Sequence, residues 1–232
     1  MKRRATIELL DADSGTAEEV AGALRDLRSF NKFLGGVATT RDLINAVARR
    51  TGKRHFSLLE IAAGTGFVPL QASKDLSEEG IKLDVTLLDR ATTHLPQNGS
   101  AQKIAGDALN APFADSSFDL VSCSLFVHHL SPEGVMQFVR EALRICKVAV
   151  LVNDLVRHPF HLALAYAGVP IYRSRITRND APASVSQAYT IEEMSAFFRT
   201  AGATKVETQK HFLFRMGLTA WKTKLDGLHR EL

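Results

Sequence analysis

The chain has 232 residues, a formal net charge of +4 and 45% hydrophobic residues. That length suffices for one sizeable core and falls short of two full domains, so we expect a single domain over residues 1–232. The positive charge is spread along the chain and no RNA-binding signature accompanies it, so nucleic acid is not the expected partner.

Three features predict a cytoplasmic protein with no membrane partner. Cys123 and Cys146 are too few for a disulfide framework and lie in apolar segments, which favours a reducing compartment. Residues 1–4 are basic, but the apolar run of a signal peptide does not follow them. The longest later apolar stretch, residues 160–172, is too short to cross a bilayer.

The N-terminal part of the chain, residues 1–50, predicts a helical arm ahead of the sheet. Thr16 and Glu19 have the spacing of a capping box, and apolar residues then recur at helical intervals. The glycine pair at residues 35–36 predicts the end of this helix and a turn into a second one around residues 41–50.

The most informative segment is a glycine turn between two strands. Residues 58–66 are an apolar strand and a turn with Gly64 and Gly66, and a second strand over residues 83–89 ends in Asp89. In a βαβ unit the right-handed crossover sets both strand ends at one edge of the sheet. Glycines let the backbone approach a ligand, and an acid about 20 residues further on accepts hydrogen bonds from ribose hydroxyls. The segment predicts a site for an adenosine-containing cofactor.

Glu60 distinguishes between two classes of cofactor. It ends the first strand, where a carboxylate would repel a pyrophosphate and attract a cationic cofactor such as S-adenosylmethionine. The third glycine of the dinucleotide fingerprint is also missing, because Phe-Val-Pro at residues 67–69 follows Gly66. A nicotinamide-dependent oxidoreductase is the alternative, although it would be expected to have a Tyr-x-x-x-Lys pair at a suitable strand end.

Polar side chains follow two further predicted strands, residues 120–125 and 148–154. His128 and His129 lie just beyond the first of these strands, and Asp154 ends the second. Because such sheets bind ligands at the carboxyl ends of their strands, we expect all three residues at the rim of the crevice. Either histidine could accept a proton from an acceptor that must lose one, and Asp154 either orients a histidine or is a solvated acid.

The remaining segments predict helices, an insertion and a hairpin. Ser131 and Thr190 are helix caps by their residue type and by the residues that follow them. The insertion between the fifth strand and the last helix, residues 155–189, is apolar and aromatic in its first half and rich in arginine in its second. Residues 204–212 and 214–221 predict an antiparallel hairpin that completes the sheet.

Taken together, these motifs resemble the class I S-adenosylmethionine-dependent methyltransferases over residues 56–155. The matching segments are the glycine turn at residues 60–66, the ribose acid Asp89, and residues 106–121, whose start matches the adenine-contacting pair of the family. One departure is Ala62, where the family often has glycine. Each motif alone is weak, and their order and spacing make the combination specific.

The resemblance implies an α/β, Rossmann-like fold with helices on both faces of a seven-stranded, mostly parallel sheet in the order 3-2-1-4-5-7-6. It implies a helical N-terminal arm (residues 1–50) and a substrate cap (residues 155–189). S-adenosylmethionine would be the cofactor and Asp107 would bind the adenine amine. No metal is expected, because the i, i+3 pair His158 and His161 has no clear third ligand. The residues assigned to the cofactor are Glu60, Gly64, Gly66, Asp89, Arg90, Asp107, Ala108 and Ser124.

The implied activity is methyl transfer to a small apolar or aromatic acceptor, with oxygen as the methylated atom. The pattern within residues 24–36, with residues 163–168 and 177–189, also resembles bacterial methyltransferases that accompany polyketide synthases, which implies a phenolic or polyketide-type metabolite. The N-terminal helices either pack on the sheet or close over the cofactor, where Asn31 or Arg41 would reach its carboxylate or the substrate. A catalytically silent cofactor-binding module would share every binding motif.

Overall fold

The computed structural model describes residues 1–12, 14–91, 95–96 and 101–222. The helices in these ranges are α1 (Ala17–Phe33), α2 (Gly36–Thr51), α3 (Phe67–Glu78), α4 (Pro132–Ile145), α5 (Pro159–Gly168), α6 (Arg175–Gln187) and α7 (Ile191–Thr200). The strands are β1 (His55–Ile61), β2 (Lys82–Asp89), β3 (Gln102–Ala105), β4 (Phe118–Ser124), β5 (Cys146–Leu155), β6 (Lys205–His211) and β7 (Arg215–Trp221).

The described strands form one seven-stranded sheet in the order β3-β2-β1-β4-β5-β7-β6. The pairs from β3 to β5 are parallel, and β7 runs antiparallel to both β5 and β6. The expected strand order and the C-terminal hairpin are therefore confirmed. Ile61 pairs with Leu88 on one side and Cys123 on the other, so the carboxyl ends of β1, β2 and β4 lie side by side.

Helices cover both faces of this sheet, which explains why its central strands are nearly continuous apolar runs. One buried cluster joins Val121 of β4 to Phe138 of α4 and Phe198 of α7. The other joins Ile44 of α2 to Trp221 of β7 on the opposite face. Both clusters contain residues of β1 and β5, so those strands are the centre of the core.

The predicted helix caps are present. Thr16 and Thr190 each form a complete capping box, and Ser131 accepts a hydrogen bond from the backbone N–H of Gly134 at the start of α4. The second helix begins at Gly36, earlier than the expected residue 41, because Gly35 has a φ of +86° and turns the chain directly into it. This glycine pair makes the connection from α1 to α2 very short.

The insertion at residues 155–189 consists of α5, a 3₁₀ turn at Val169–Ile171 and α6. Helix α6 contacts both α5 and α1, so the insertion and α1 form one layer beside the carboxyl edge of the sheet, whereas α2 packs on its face. The division into an arm and a substrate cap stays a prediction. Among the described helices, none has the length and apolar character needed to span a membrane.

Candidate active site

The glycine turn after β1 leaves an open space beside the backbone. Gly64 and Gly66 have φ values of +52° and +66°, in the left-handed region that favours glycine. A Cβ on Gly66 would lie 2.6 Å from Cδ1 of Leu87, whereas a Cβ on Gly64 would meet no atom within 4 Å. Ala62, at the family's usual glycine position, also has a positive φ of 53°. The turn is thus tightly packed below Gly66 and free for a ligand at Gly64.

Asp89 lies against this turn, as its position at the end of β2 predicts. Its Oδ2 atom accepts a hydrogen bond of 2.7 Å from the N–H of Gly64, and its Oδ1 atom accepts one of 2.8 Å from Ala91. A carboxylate has about four acceptor sites, so these two bonds fix its orientation and leave sites for hydroxyl groups. Arg90, the next residue, is exposed.

Asp107 and Ala108 follow β3, next to the end of β2. Asp107 is exposed, and its Oδ1 atom accepts a hydrogen bond of 3.0 Å from the N–H of Leu109. The backbone carbonyl of Asp107 also accepts a hydrogen bond of 3.2 Å from the N–H of Asn110. This compact turn keeps the Asp107 side chain at the edge of the sheet where Asp89 lies.

Glu60 is buried in the sheet, with only 1% of its surface exposed. Ser122 of the neighbouring strand β4 donates a hydrogen bond to its carboxyl group. Burial raises the pKa of Glu60 to about 7, although the hydrogen bond from Ser122 opposes the increase. Near neutral pH the carboxyl is therefore partly protonated. It attracts a cationic cofactor, and repels a pyrophosphate, less strongly than its position in the sequence predicts.

His128 lies between two carboxylates in the 3₁₀ turn that follows β4. Its Nδ1 atom is 2.6 Å from Oδ1 of Asp154, and its Nε2 atom is 3.5 Å from Oε1 of Glu8. Burial alone would lower the pKa of His128, but the two carboxylates outweigh this effect and raise it to about 10. Of the two alternatives for Asp154, orienting a histidine is the one observed.

His129 is the more accessible of the pair, with 21% of its side chain exposed. Its Nδ1 atom is 2.7 Å from Oδ2 of Asp11 and 3.8 Å from Oε1 of Glu8. The rings of His128 and His129 lie 4.1 Å apart between centroids. We use the term imidazole–carboxylate cluster for the five residues Glu8, Asp11, His128, His129 and Asp154.

Sequence reasoning did not identify Glu8 and Asp11, because neither belongs to a periodic or motif-like segment. The structure holds their segment, residues 1–12, against the rim through several long-range hydrogen bonds. Arg3 donates to the carbonyls of His128 and Leu130, and Asp180 of α6 accepts from two backbone N–H groups of the segment. Glu8 itself accepts hydrogen bonds from Ser184 and Gln187 of the same helix.

Asn31 and Arg41, the two candidates for reaching the cofactor from the N-terminal helices, have other partners. Arg41 pairs with the adjacent Asp42 at 3.1 Å. Asn31 accepts a hydrogen bond from the buried guanidinium of Arg215, which also donates to Asn153 and to the carbonyl of Leu34. Burial lowers the pKa of Arg215 to about 10. This network fixes the α1–α2 connection to the ends of β5 and β7.

A cavity of about 390 Å³ adjoins the glycine turn on the side of α1. The guanidinium of Arg28 lies 4.7 Å from the ring centroid of Phe67, the first residue of α3. This wall therefore presents positive charge next to the turn. The cavity is lined by Leu24, Arg25, Arg28, Thr65, Phe67, Leu70 and Gln71.

Comparison with known proteins finds a similarity over the segment that contains these features. The family model described as a methyltransferase domain matches residues 59–151, which run from β1 into β5 and include the glycine turn, Asp89 and both rim histidines. Residues 59–151 are thus similar to methyltransferase domains. The strand order of the seven-stranded sheet agrees with this similarity.

Two curated relatives match parts of this domain. Demethylmenaquinone methyltransferase of Beutenbergia cavernae is 34% identical over 106 residues, which cover 43% of this chain and 40% of that protein. The biotin biosynthesis bifunctional protein BioHC of Cellvibrio japonicus is 32% identical over 152 residues, which cover 60% of this chain and 29% of that protein. The chain thus spans less than half of the length of the curated relatives it matches.

A solved structure similar over nearly the whole chain is the plantazolicin methyltransferase BpumL in complex with a triazolic desmethylPZN analog and SAH. Its TM-score is 0.70 at 13% sequence identity, and the match covers 93% of this chain and 94% of that one. At that identity the likeness shows the fold. It extends beyond residues 59–151 and includes most of the helices outside the family match.

Proposed function

We propose that this protein transfers a methyl group from S-adenosylmethionine to a small aromatic acceptor that carries an acidic proton, such as a phenol. The observation that carries the proposal is one juxtaposition at the carboxyl edge of the sheet. The glycine turn held by Asp89 follows β1, and the imidazole–carboxylate cluster follows the adjacent β4 and β5. The bound cofactor and the groups that can exchange a proton with the acceptor would therefore lie in one crevice.

The residues around the glycine turn fit S-adenosylmethionine. The open side of Gly64 allows close approach, and the remaining acceptor sites of Asp89 suit ribose hydroxyls. Arg25 and Arg28 line the cavity beside the turn and suit a carboxylate. The bound cofactor would supply a methyl group made electrophilic by a sulfonium. The protein's tasks are then to orient the acceptor and to handle its proton.

The names of the similar proteins support methyl transfer as the class of reaction, without indicating the acceptor. One curated relative is named as a methyltransferase of demethylmenaquinone, and one structural neighbour was solved with SAH. The cofactor sites assigned to Glu60, Gly64, Gly66, Asp89, Arg90, Asp107, Ala108 and Ser124 are all proposals. So is the assignment of acceptor chemistry to His128 and His129, and so are a cytoplasmic location and a small-molecule partner.

The first prediction concerns the cofactor. Titration calorimetry should detect micromolar binding of S-adenosylhomocysteine and no heat with NADH. Asp89→Ala should weaken that binding by tenfold or more, because the hydrogen bonds from ribose to a charged group contribute about 1.5–3 kcal/mol. Asp84→Ala is the matched control, since Asp84 lies on the same strand and pairs with His55. Preference for NADH would overturn the proposal and favour an oxidoreductase.

The second prediction concerns the acceptor. With labelled S-adenosylmethionine, label should appear in small phenols and be absent from their O-methylated counterparts, because methylation consumes the free hydroxyl. Anilines of the same shape test whether nitrogen is accepted. Cofactor binding without transfer to any compound of the panel would argue against the phenolic substrate class.

A further inference from the structure

We propose that Glu8, His128 and His129 bind a divalent transition-metal ion. One ligand atom from each lies within 4.8 Å of the other two. Oε1 of Glu8 is 3.5 Å from Nε2 of His128 and 3.8 Å from Nδ1 of His129. Bonds of about 2.0–2.1 Å in a tetrahedral zinc site place the ligand atoms about 3.4 Å apart. Two of the three distances between ligand atoms are therefore close to those of a zinc site, and the third is at most 4.8 Å.

The groups behind these ligands are those that orient metal ligands in proteins. Oδ1 of Asp154 accepts a hydrogen bond of 2.6 Å from the N–H at Nδ1 of His128, which leaves Nε2 as the nitrogen that faces Glu8. Asp154 is itself fixed by the N–H of Leu155 at 2.7 Å. Ser184 and Gln187 both donate hydrogen bonds to Oε1 of Glu8, at 2.7 and 2.6 Å. The two buried ligands, His128 and Glu8, are thus each held in position by hydrogen bonds to other side chains.

Asp11 would complete the coordination from the solvent side. Its Oδ2 atom is 2.7 Å from Nδ1 of His129, and 55% of its side chain is exposed. The site would therefore have three ligands and a fourth position that Asp11, water or an acceptor oxygen can occupy, which is the pattern of catalytic zinc sites.

This location gives the ion a role in the proposed function, and that role rests on the proposed function. The cluster follows β4 and β5, at the edge where the acceptor would lie. A bound divalent ion stabilises the deprotonated form of an oxygen ligand, so a phenol there would lose its proton without a free histidine base. Metal binding itself does not depend on the reaction.

The test is metal binding by the purified, full-length protein after removal of metal with a chelator. We expect one equivalent of Zn²⁺ by elemental analysis, and Co²⁺ should give the visible absorption of a tetrahedral site. Glu8→Gln and His129→Ala should each abolish the Co²⁺ spectrum. Asp154→Asn should weaken binding about 10–100-fold, the usual cost of losing an outer-shell partner.

His158→Ala is the matched control, because His158 is an exposed histidine outside the cluster. It should leave Co²⁺ binding unchanged. Absence of stoichiometric binding in the wild type, or an unchanged spectrum in folded Glu8→Gln and His129→Ala, would overturn the proposal and leave the cluster as an ion pair held by a proton. S-adenosylhomocysteine binding by the same preparations separates failure of the metal site from failure of the proposed function.

Discussion

At the scale of single residues, Glu60 has the environment that differs most from the one its sequence position suggested. It was expected as a charged group that attracts a cofactor. Instead it lies within the sheet beside Ser122, and burial raises its pKa to about 7. An apolar strand pattern predicts where such a residue lies in the sheet. It does not predict how far the carboxyl group is buried from water.

The third prediction follows from this shift. The folded pKa of Glu60 lies above its ordinary value of 4.5, so its contribution to stability is fully present below pH 4.5 and is lost as the pH rises through 7. Glu60→Gln keeps a neutral side chain at every pH. Well above pH 7 the variant should be the more stable protein, by an amount on the order of 3 kcal/mol.

Urea unfolding of both proteins between pH 5 and pH 8.5 measures this effect. The difference in unfolding free energy between variant and wild type should increase with pH. Taking this difference cancels the contribution of all other titrating groups. A constant difference across the range would mean that Glu60 does not change its charge between these pH values in the folded protein.

At the scale of elements, the segment of residues 1–12 and helix α6 depend on each other. Asp180 is buried in α6, and its two carboxylate oxygens accept the N–H groups of Leu9 and Leu10 at 2.9 and 3.0 Å. These bonds hold Glu8 and Asp11 at the cluster, although none of residues 1–12 belongs to a helix or strand. The geometry of the site therefore depends on a contact between two distant parts of the chain.

The fourth prediction is that Asp180→Ala releases this segment. The backbone amides of residues 9 and 10 lose their acceptor, so hydrogen exchange in peptides from residues 1–12 should become much faster. Loss of the buried carboxylate should also lower the unfolding free energy by about 1–3 kcal/mol. If hydrogen exchange in residues 1–12 were unchanged, the other contacts of this segment would be enough to hold it in place without Asp180.

Asn179→Ala is the control for this experiment. Asn179 donates a hydrogen bond to Asp180 at 2.9 Å and is its neighbour in the same helix. The substitution therefore perturbs α6 at almost the same place while leaving both acceptors for Leu9 and Leu10. Exchange in residues 1–12 should remain close to that of the wild type.

At the scale of the whole molecule, local signals predicted most of the fold. Capping boxes at Thr16 and Thr190, the glycine turn and the apolar strands each depend on a few adjacent residues. The strand order came from resemblance, because no periodicity encodes it. The cluster could be predicted only in part, since Glu8 and Asp11 reach it from more than 100 residues away in sequence.

The network around Arg215 also has a consequence for synthesis of the chain. Asn31 and its buried guanidinium partner are separated by 184 residues. At a translation rate of about 5–20 residues per second, roughly 10–40 s pass between the two, and contacts so distant in sequence are slow to form. The connection between α1 and α2 is thus made well before Arg215 and reaches its final set of bonds only after β7 has been synthesised.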